Sequence, residues 1–295
     1  MLGTATKLGS PMPSKYSWDI VGYANGLVCV RNFMEGGIAL WNPSIQKLKK
    51  IPEPYAQPPP PELDYGFGYD STNDDYKLVQ IVELANEEDI VVSHQVSVYS
   101  LKANSWKRSQ DIPSSGYVFS VDPQCKIVTL DLASEKYRVF PIPVDRVDIE
   151  DLYKPDLKIL GDYLCICLNF RSRRDVWIMK EFGETESWSL LYSIDRQPNV
   201  YVKPLAFSKK GEMVLLEMLG NGYSRLSWYD LEKKSVKQVE ISGLLPLRYY
   251  LTTICWGSLC LLDGDPVIAK SSNKRKTSSS KKRKISSSVK PFKLW

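Results

Sequence analysis

Large apolar residues return along this chain in one spaced phrase: an apolar anchor, a short polar turn, a second anchor and often a closing Ile-Pro. Clear copies are Leu40-Trp41-Asn42-Pro43 running to Leu48 and Ile51-Pro52, and Val98-Tyr99-Ser100-Leu101 running to Trp106 and Ile112-Pro113. A third runs from Thr129-Leu130-Asp131-Leu132 to Tyr137 and Ile142-Pro143. Fainter copies are Trp228-Tyr229-Asp230-Leu231 with Val236 and Ile241, and Trp177-Ile178-Met179 with Trp188 beyond a longer turn. In four of them (Trp41/Leu48, Tyr99/Trp106, Leu130/Tyr137, Tyr229/Val236) the anchors stand seven residues apart. That spacing predicts a strand that ends, turns over polar residues and returns as its antiparallel neighbour. Repetition of such a unit predicts a radial or stacked all-β array.

Between the copies lie further strand patterns. Ile20 to Val30 is broken by Asn25-Gly26, a pair suited to a turn with positive φ. Tyr65 to Asp70 and Tyr76 to Val82 flank the turn Asn73-Asp74-Asp75, and Glu87-Glu88-Asp89 reads as a hairpin tip. Strand-like runs continue at 156–169, 175–180, 188–194, 202–207, 212–219 and 224–229, with turns at Lys209-Lys210-Gly211 and Gly220-Asn221-Gly222. The six prolines between Pro52 and Pro61 cannot continue a ladder and mark a connector. Helical periodicity is nowhere sustained, and the short polar stretch from Val147 to Leu152 reads as a loop.

Composition sharpens this picture in two places. The 295 residues carry a formal net charge of +5, yet the segment from Lys270 to Trp295 holds ten Lys/Arg and no acid, leaving 29 basic against 34 acidic residues elsewhere. The body is therefore mildly acidic, and only the tail is an electrostatic candidate for an acidic partner. No apolar run is long enough for a membrane-spanning helix, and the first 17 residues, rich in Gly, Ser, Pro and Thr, read as loose and without a signal peptide. The expected location is the nucleus, the cytoplasm or both. With no secretory signal, Cys29, Cys125, Cys165, Cys167, Cys255 and Cys260 read as reduced thiols, mostly buried in strands.

Few residues suggest chemistry. The chain lacks a phosphate loop, a nucleophile elbow, a metal-binding histidine helix and a dinucleotide fingerprint. His94, the single histidine, lies within a strand pattern and reads as structural, because a general base needs an exposed position and an orienting partner. Cys165 and Cys167 share a strand face but have no companion ligands, and Asp70, Thr72 and Asp74 have calcium-loop spacing without the loop's glycine and distal glutamate. No catalytic, cofactor-binding or metal-binding residue is assigned. The tail is more specific: Lys274-Arg275-Lys276 and Lys281, Lys282, Arg283 and Lys284 flank a Thr-Ser-Ser-Ser spacer. Such a tail builds no core, and its two basic clusters form a candidate nuclear import signal, with an import receptor as its partner. Phosphorylation of the serines would weaken that charge.

Taken in order, Gly22-Tyr23-Ala24-Asn25-Gly26-Leu27-Val28-Cys29-Val30, Leu40-Trp41-Asn42-Pro43-Ser44 with Lys49-Lys50-Ile51-Pro52, and Tyr65-Gly66-Phe67-Gly68-Tyr69-Asp70 with Asp74-Asp75-Tyr76-Lys77-Leu78-Val79 resemble the plant F-box-associated interaction domain. Val98-Tyr99-Ser100-Leu101 to Trp106 and Asp131 to Tyr137 before Pro141-Ile142-Pro143 continue the resemblance, which covers about residues 18–265. It implies an all-β, propeller-like, kelch-related array of about five or six incomplete blades, between a disordered segment (1–17) and a disordered basic tail (266–295). It also implies the substrate-recognition part of an SCF-type E3 ubiquitin ligase, which binds a target protein for ubiquitination and has no cofactor, no membrane and no specific nucleic acid among its partners. The 17 residues ahead of the first strand are too few for an F-box, so a Skp-type adaptor and a cullin are expected only if an F-box is supplied elsewhere. Two alternatives stay open: a regulatory or interfering F-box-less binder of the same target, and a glycosidase-like propeller enzyme using two carboxylates. The family's usual stretch between Ile112-Pro113 and Val128 is short here, which predicts a blade lacking strands and an exposed edge. Trp41, Tyr99, Trp106, Tyr137 and Trp188 are expected to pack between sheets rather than bind ligand.

Overall fold

The computed structural model describes residues 18–32, 36–54, 63–86, 91–109, 111–113, 126–144, 151–196, 200–220, 223–239, 252–253, 262 and 292–293. These residues form antiparallel meanders. The first sheet runs β1 (Asp19–Ala24), β2 (Leu27–Arg31), β3 (Ile38–Asn42), β4 (Lys47–Ile51). The second runs β5 (Leu63–Asp70), β6 (Asp75–Ala85), β7 (Val91–Ser100), β8 (Ser105–Arg108), and β9 (Ile112–Pro113) follows β8 along the same edge of β7. The third is built on the hairpin of β10 (Lys126–Leu130) and β11 (Tyr137–Pro141). The fourth contains β12 (Leu152–Leu160), β13 (Tyr163–Phe170), β14 (Arg173–Met179) and β15 (Trp188–Asp195), the last two joined through a 3-10 turn at Thr185–Ser187. The fifth contains β16 (Val200–Phe207), β17 (Met213–Gly220), β18 (Tyr223–Asp230) and β19 (Ser235–Gln238). A final two-residue strand, β20 (Phe292–Lys293), pairs with β10.

The sheets pack face to face in chain order, as propeller blades do, because period-2 alternation gives each inner strand two apolar faces. Leu27, Leu40, Phe67, Leu78 and Tyr99 form the core between the first and second sheets. Val79, Ile81, Val96 and Val98 meet Val128 and Leu130 of the third. Ile127 and Phe140 then meet Leu164, Ile166 and Leu168 of the fourth. The alternate residues of β13, Cys165 and Cys167, turn the other way and pack against Val214, Leu216 and Met218 of the fifth. Cys29, Cys165 and Cys167 are buried free thiols, and burial pushes the Cys29 thiol well above its usual range.

The repeated phrase is a hairpin with a fixed internal chemistry. Its anchors pair directly: Trp41 with Leu48, Tyr99 with Trp106, Leu130 with Tyr137, and Tyr229 with Val236. The residue after the first anchor supplies a side-chain acceptor that closes the turn. Asn42 Oδ1 accepts from Ser44 N at 3.0 Å, Ser100 Oγ from Ala103 N at 2.9 Å, Asp131 Oδ1 from Ser134 N at 2.7 Å, and Asp230 Oδ1 from Lys233 N at 2.8 Å. Four residues further on, the backbone is left-handed in each of these four hairpins, at Gln46 (φ 52°), Asn104 (φ 51°), Glu135 (φ 55°) and Lys234 (φ 51°). One left-handed residue lets a type I turn rejoin the ladder in register. Tyr69 and Tyr76 make a fifth hairpin of this kind, with Asp70 as acceptor and Asp74 left-handed at φ 53°. Its sequence, Tyr-Asp followed by Asp-Asp-Tyr, carries the same spacing between β5 and β6.

Several expectations are corrected. The blades are mostly complete: four of the five sheets carry a full four-strand meander, and the third alone is short. The exposed edge expected there is β10, and Phe292 and Lys293 pair with Leu130 and Thr129 along it. The expected structureless tail is therefore interrupted at these two residues, since an unpaired edge presents ladder groups that an extended segment can satisfy. Leu152 opens β12 instead of closing a loop, and the apolar run 156–169 is divided by a turn at Gly161 (φ 64°) that pairs Leu160 with Tyr163. The remaining calls on 1–17, 55–62, 87–90, most of 266–295 and the other three cysteines lie outside the described residues.

Candidate functional site

The ends of β14 and β15 and the faces of β16 to β19 enclose a cleft between the fourth and fifth sheets. Val176 and Ile178 of β14 point into the core shared with the fifth sheet, so period 2 places Arg174 on that same face, one step nearer the strand end. Asn169 is its cross-strand partner and accepts a hydrogen bond from Arg174 Nε. Arg174 Nη1 donates across the blades to the Val202 carbonyl at 2.5 Å, and its guanidinium lies 4.7 Å from the Tyr201 ring centroid. Tyr201 in turn donates its hydroxyl to Asp156 Oδ2 at 2.5 Å, and Lys158 forms an ion pair with the same carboxylate oxygen. This chain of contacts fixes the Arg174 guanidinium. Burial lowers its pKa from the ordinary arginine range, which is high enough to leave the group cationic.

The cleft encloses about 280 Å³. Ile194, Val200, Val202, Met218 and Val236 give it apolar walls, while Arg174, Arg196, Arg225 and Asp195 supply charge. Arg196 Nη1 donates to the Phe170 carbonyl at 3.3 Å. Arg225 is exposed and makes no ion pair among the described residues. Two further arginines stand at the start of β14 and in the turn before it. Arg173 pairs with Asp175 at 3.0 Å and covers the Phe170 ring at 4.4 Å, and Arg171 pairs with Asp151 at 2.8 Å.

On the fifth sheet, a second polar pair faces the segment around Thr252. Lys203 and Glu217 are cross-strand partners, with Nζ 3.8 Å from Oε2, and Lys203 also donates to the Thr252 carbonyl at 2.9 Å. Glu217 is fully buried, and burial pulls the Lys203 pKa down. The other buried carboxylates among the described residues are likewise engaged. Asp70 pairs with Lys77 at 2.9 Å, Asp75 accepts from Ser100 Oγ at 2.5 Å, and Asp175 accepts from Ser193 Oγ at 2.6 Å.

The residues weighed in the sequence fall into structural places. His94 lies on β7 opposite Glu83, with Nε2 3.8 Å from its carboxylate. Asp70 closes its own turn, accepting from Thr72 N at 3.0 Å and Asn73 N at 3.1 Å as well as from Lys77. Tyr99 is fully buried with its ring 5.4 Å from Trp106, whose Nε1 donates to Pro52 of the first sheet's exit at 2.5 Å. Trp41, Tyr137 and Trp188 are half-buried against the first, third and fourth sheets' apolar clusters. The import candidates Lys274, Arg275, Lys276, Lys281, Lys282, Arg283 and Lys284 lie outside the described residues. The arginine cleft was missed. Its only sequence signal is the cluster Arg171, Arg173 and Arg174 beside a turn, and Arg196 and Arg225 join it only through blade packing.

Consecutive antiparallel meanders packed face to face define a propeller-type fold, with a cleft between the fourth and fifth sheets. Comparison with known proteins gives the family: residues 4–250 match the F-box associated beta propeller domain, and the chain belongs to that family. F-box protein CPR1 of Arabidopsis thaliana is 30% identical, over 81% of this chain and 68% of its own length. F-box protein At4g22390 of the same plant is also 30% identical, over 88% and 73%. F-box/kelch-repeat protein At3g23880 is 29% identical over 80% and 68%.

Proposed function

We propose that this propeller is the target-recognition part of an SCF-type ubiquitin ligase, holding a protein noncovalently while other subunits carry out ubiquitin transfer. The observation that carries this reading is the family match along residues 4–250, joined to 30% identity with proteins named for their F-box. Its chemistry is consistent with noncovalent binding: among the described residues the buried carboxylates face cations or hydroxyls, and His94 faces Glu83 within the sheet. A Skp-type adaptor and a cullin join when an F-box is present in the assembly. The basic clusters at 274–276 and 281–284 direct the chain to the nucleus.

Affinity purification of the tagged full chain from plant tissue, followed by mass spectrometry, tests this. A target recovered with adaptor and cullin supports the receptor reading, while a target recovered without them makes the chain an interfering binder. Recovery of no protein overturns both. A fluorescent reporter fused to residues 270–295 is expected to enter the nucleus, and one that stays cytosolic removes the import assignment.

A further inference from the structure

The third sheet is the short one, and the repeated phrase shows which of its strands is replaced. In the first, second and fifth sheets the phrase forms the third and fourth strands of the meander, at Trp41/Leu48, Tyr99/Trp106 and Tyr229/Val236. Its copy at Leu130/Tyr137 therefore makes β10 and β11 the third and fourth strands of their blade. A second strand belongs along the other edge of β10, as β3 has β2, β7 has β6 and β18 has β17. Phe292 and Lys293 stand in that place, opposite Leu130 and Thr129 and antiparallel to β10, which is the direction a second strand takes.

The neighbours of β20 give the same position independently. Opening strands of adjacent sheets meet, β1 with β5 and β12 with β16, as strands nearest a propeller axis do. β20 also meets β5, so it lies on the axial side of β10, with β11 on the outer side.

The residues around the pair suit such a strand. From Lys270 to Ser288 the one large apolar residue is Ile285, whereas Val289, Phe292, Leu294 and Trp295 crowd the stretch 289–295. Second strands of the complete sheets are apolar on both faces: Leu27, Val28, Cys29 and Val30 of β2 are buried, as are Val214, Leu215 and Leu216 of β17. An apolar terminus on a hydrophilic run gains by docking in such a position. Pro291 directly precedes the pair, and a strand tolerates a residue without an N–H at its start. Two residues pair here against five in β2 and eight in β17, so few ladder bonds hold the segment and it can exchange.

We propose that the β10 edge is a strand-addition site whose ligand is the chain's own segment 289–295, bound reversibly as the second strand of the third blade. Backbone hydrogen bonds hold an added strand, and alternate side chains select it. Leu262 is buried in the core between the first and second sheets, so the basic clusters 274–276 and 281–284 lie on a span attached at both ends.

Two measurements on the full chain test this. Thr129→Cys with Lys293→Cys puts thiols at directly opposed positions, a spacing that a disulfide can bridge. Mild diamide oxidation is expected to link them within one chain, as identified by mass spectrometry of the joined peptides, and to leave Thr129→Cys with Ser280→Cys largely unlinked. Equal linking of the two pairs overturns the proposal, because the tail then has no register on β10. Linking between chains overturns it in favour of a second copy as the occupant.

Phe292→Pro with Lys293→Pro removes both N–H groups and alters no residue of the five meanders. A fluorescein-labelled peptide of residues 286–295 is expected to bind this variant about tenfold tighter than the unaltered chain, whose tethered segment competes for the edge. Hydrogen exchange at Lys126–Leu130 should be faster in the variant and slow again when the peptide is added. Equal affinity for both chains, equal binding of a scrambled peptide, or exchange unmoved by the substitutions overturns the proposal.

Discussion

Tyr201 donates its hydroxyl hydrogen to Asp156 across the boundary of the fourth and fifth sheets, at 2.5 Å, and its ring lies 4.7 Å from the Arg174 guanidinium. One side chain thus links a β12 carboxylate to a β14 cation from β16. Burial, followed by the Asp156 charge, raises the Tyr201 pKa, so the phenol remains a donor throughout the physiological range. Tyr201→Phe keeps the ring over Arg174 and loses only the hydrogen bond, with Lys158 still paired to Asp156. Its expected cost is about 1 kcal/mol. Tyr201→Ala also removes the cation–π contact and should cost about 0.5 to 2 kcal/mol more. Urea unfolding of the two variants measures both terms, and equal losses would mean that the hydroxyl, not the ring, joins the blades.

The left-handed residue of each hairpin gives a backbone test. Lys234 is exposed, so substitution there changes conformation and little packing. A left-handed L-residue costs roughly 1 to 2 kcal/mol, while glycine adds about 0.5 to 1 kcal/mol of lost entropy. Lys234→Gly should therefore stabilise the chain by up to about 1 kcal/mol. Lys234→Val, β-branched at a positive φ, should destabilise it by about as much or more. Equilibrium denaturation reads both, and a neutral valine variant would show that this hairpin adopts another turn.

The turn acceptors predict an acid limb of instability. The Ser134 backbone N–H, then its hydroxyl, hold Asp131 below the ordinary aspartate range. Burial pushes Asp70 up, but hydrogen bonds from Asn73 and Lys77 outweigh it and leave Asp70 low as well. A carboxylate held low in the folded state binds a proton later than in the unfolded state as pH falls. Its contribution is complete above the unfolded value, about 3.9, and is lost as pH drops through the folded value. Stability should therefore decline below about pH 4. Asp131→Asn retains an acceptor without the titration, so the slope of stability between about pH 4 and pH 2 should flatten while neutral-pH stability changes little. A parallel slope would assign the acid loss to other groups.

The hairpin units were legible because their chemistry is local. An anchor, an acceptor one residue on and a second anchor at seven lie within one sequence window, and the register of Trp41 with Leu48 or Tyr229 with Val236 follows from it. Tyr69 and Tyr76 carry the same spacing, but no closing Ile-Pro follows, so their hairpin reads from its Asn73-Asp74-Asp75 turn and not as a copy of the phrase. The cleft was not legible. Arg174, Arg196 and Arg225 come from three strand ends, and only packing of the fourth sheet on the fifth brings them together. Pairing of Phe292 with Leu130 was hidden for the same reason, since edge pairing depends on which edge is free and not on any motif in the tail.

Lys203 and Glu217 offer the sharpest separation of charge from packing. Glu217 is fully buried on β17 and faces Lys203 at 3.8 Å, while Lys203 is tied to the Thr252 carbonyl. Removing the lysine leaves a carboxylate with no cation in a dry setting, a change that typically costs about 3 to 5 kcal/mol. Lys203→Met should show a loss of that order in chemical denaturation. Adding Glu217→Leu removes the stranded charge, and the double variant should regain most of the loss because well-packed apolar replacements of buried pairs are commonly neutral or stabilising. The double-mutant cycle then gives a coupling of at least about 1 kcal/mol. Additive losses in the two single variants would show that the pair contributes through packing alone and that water reaches Glu217.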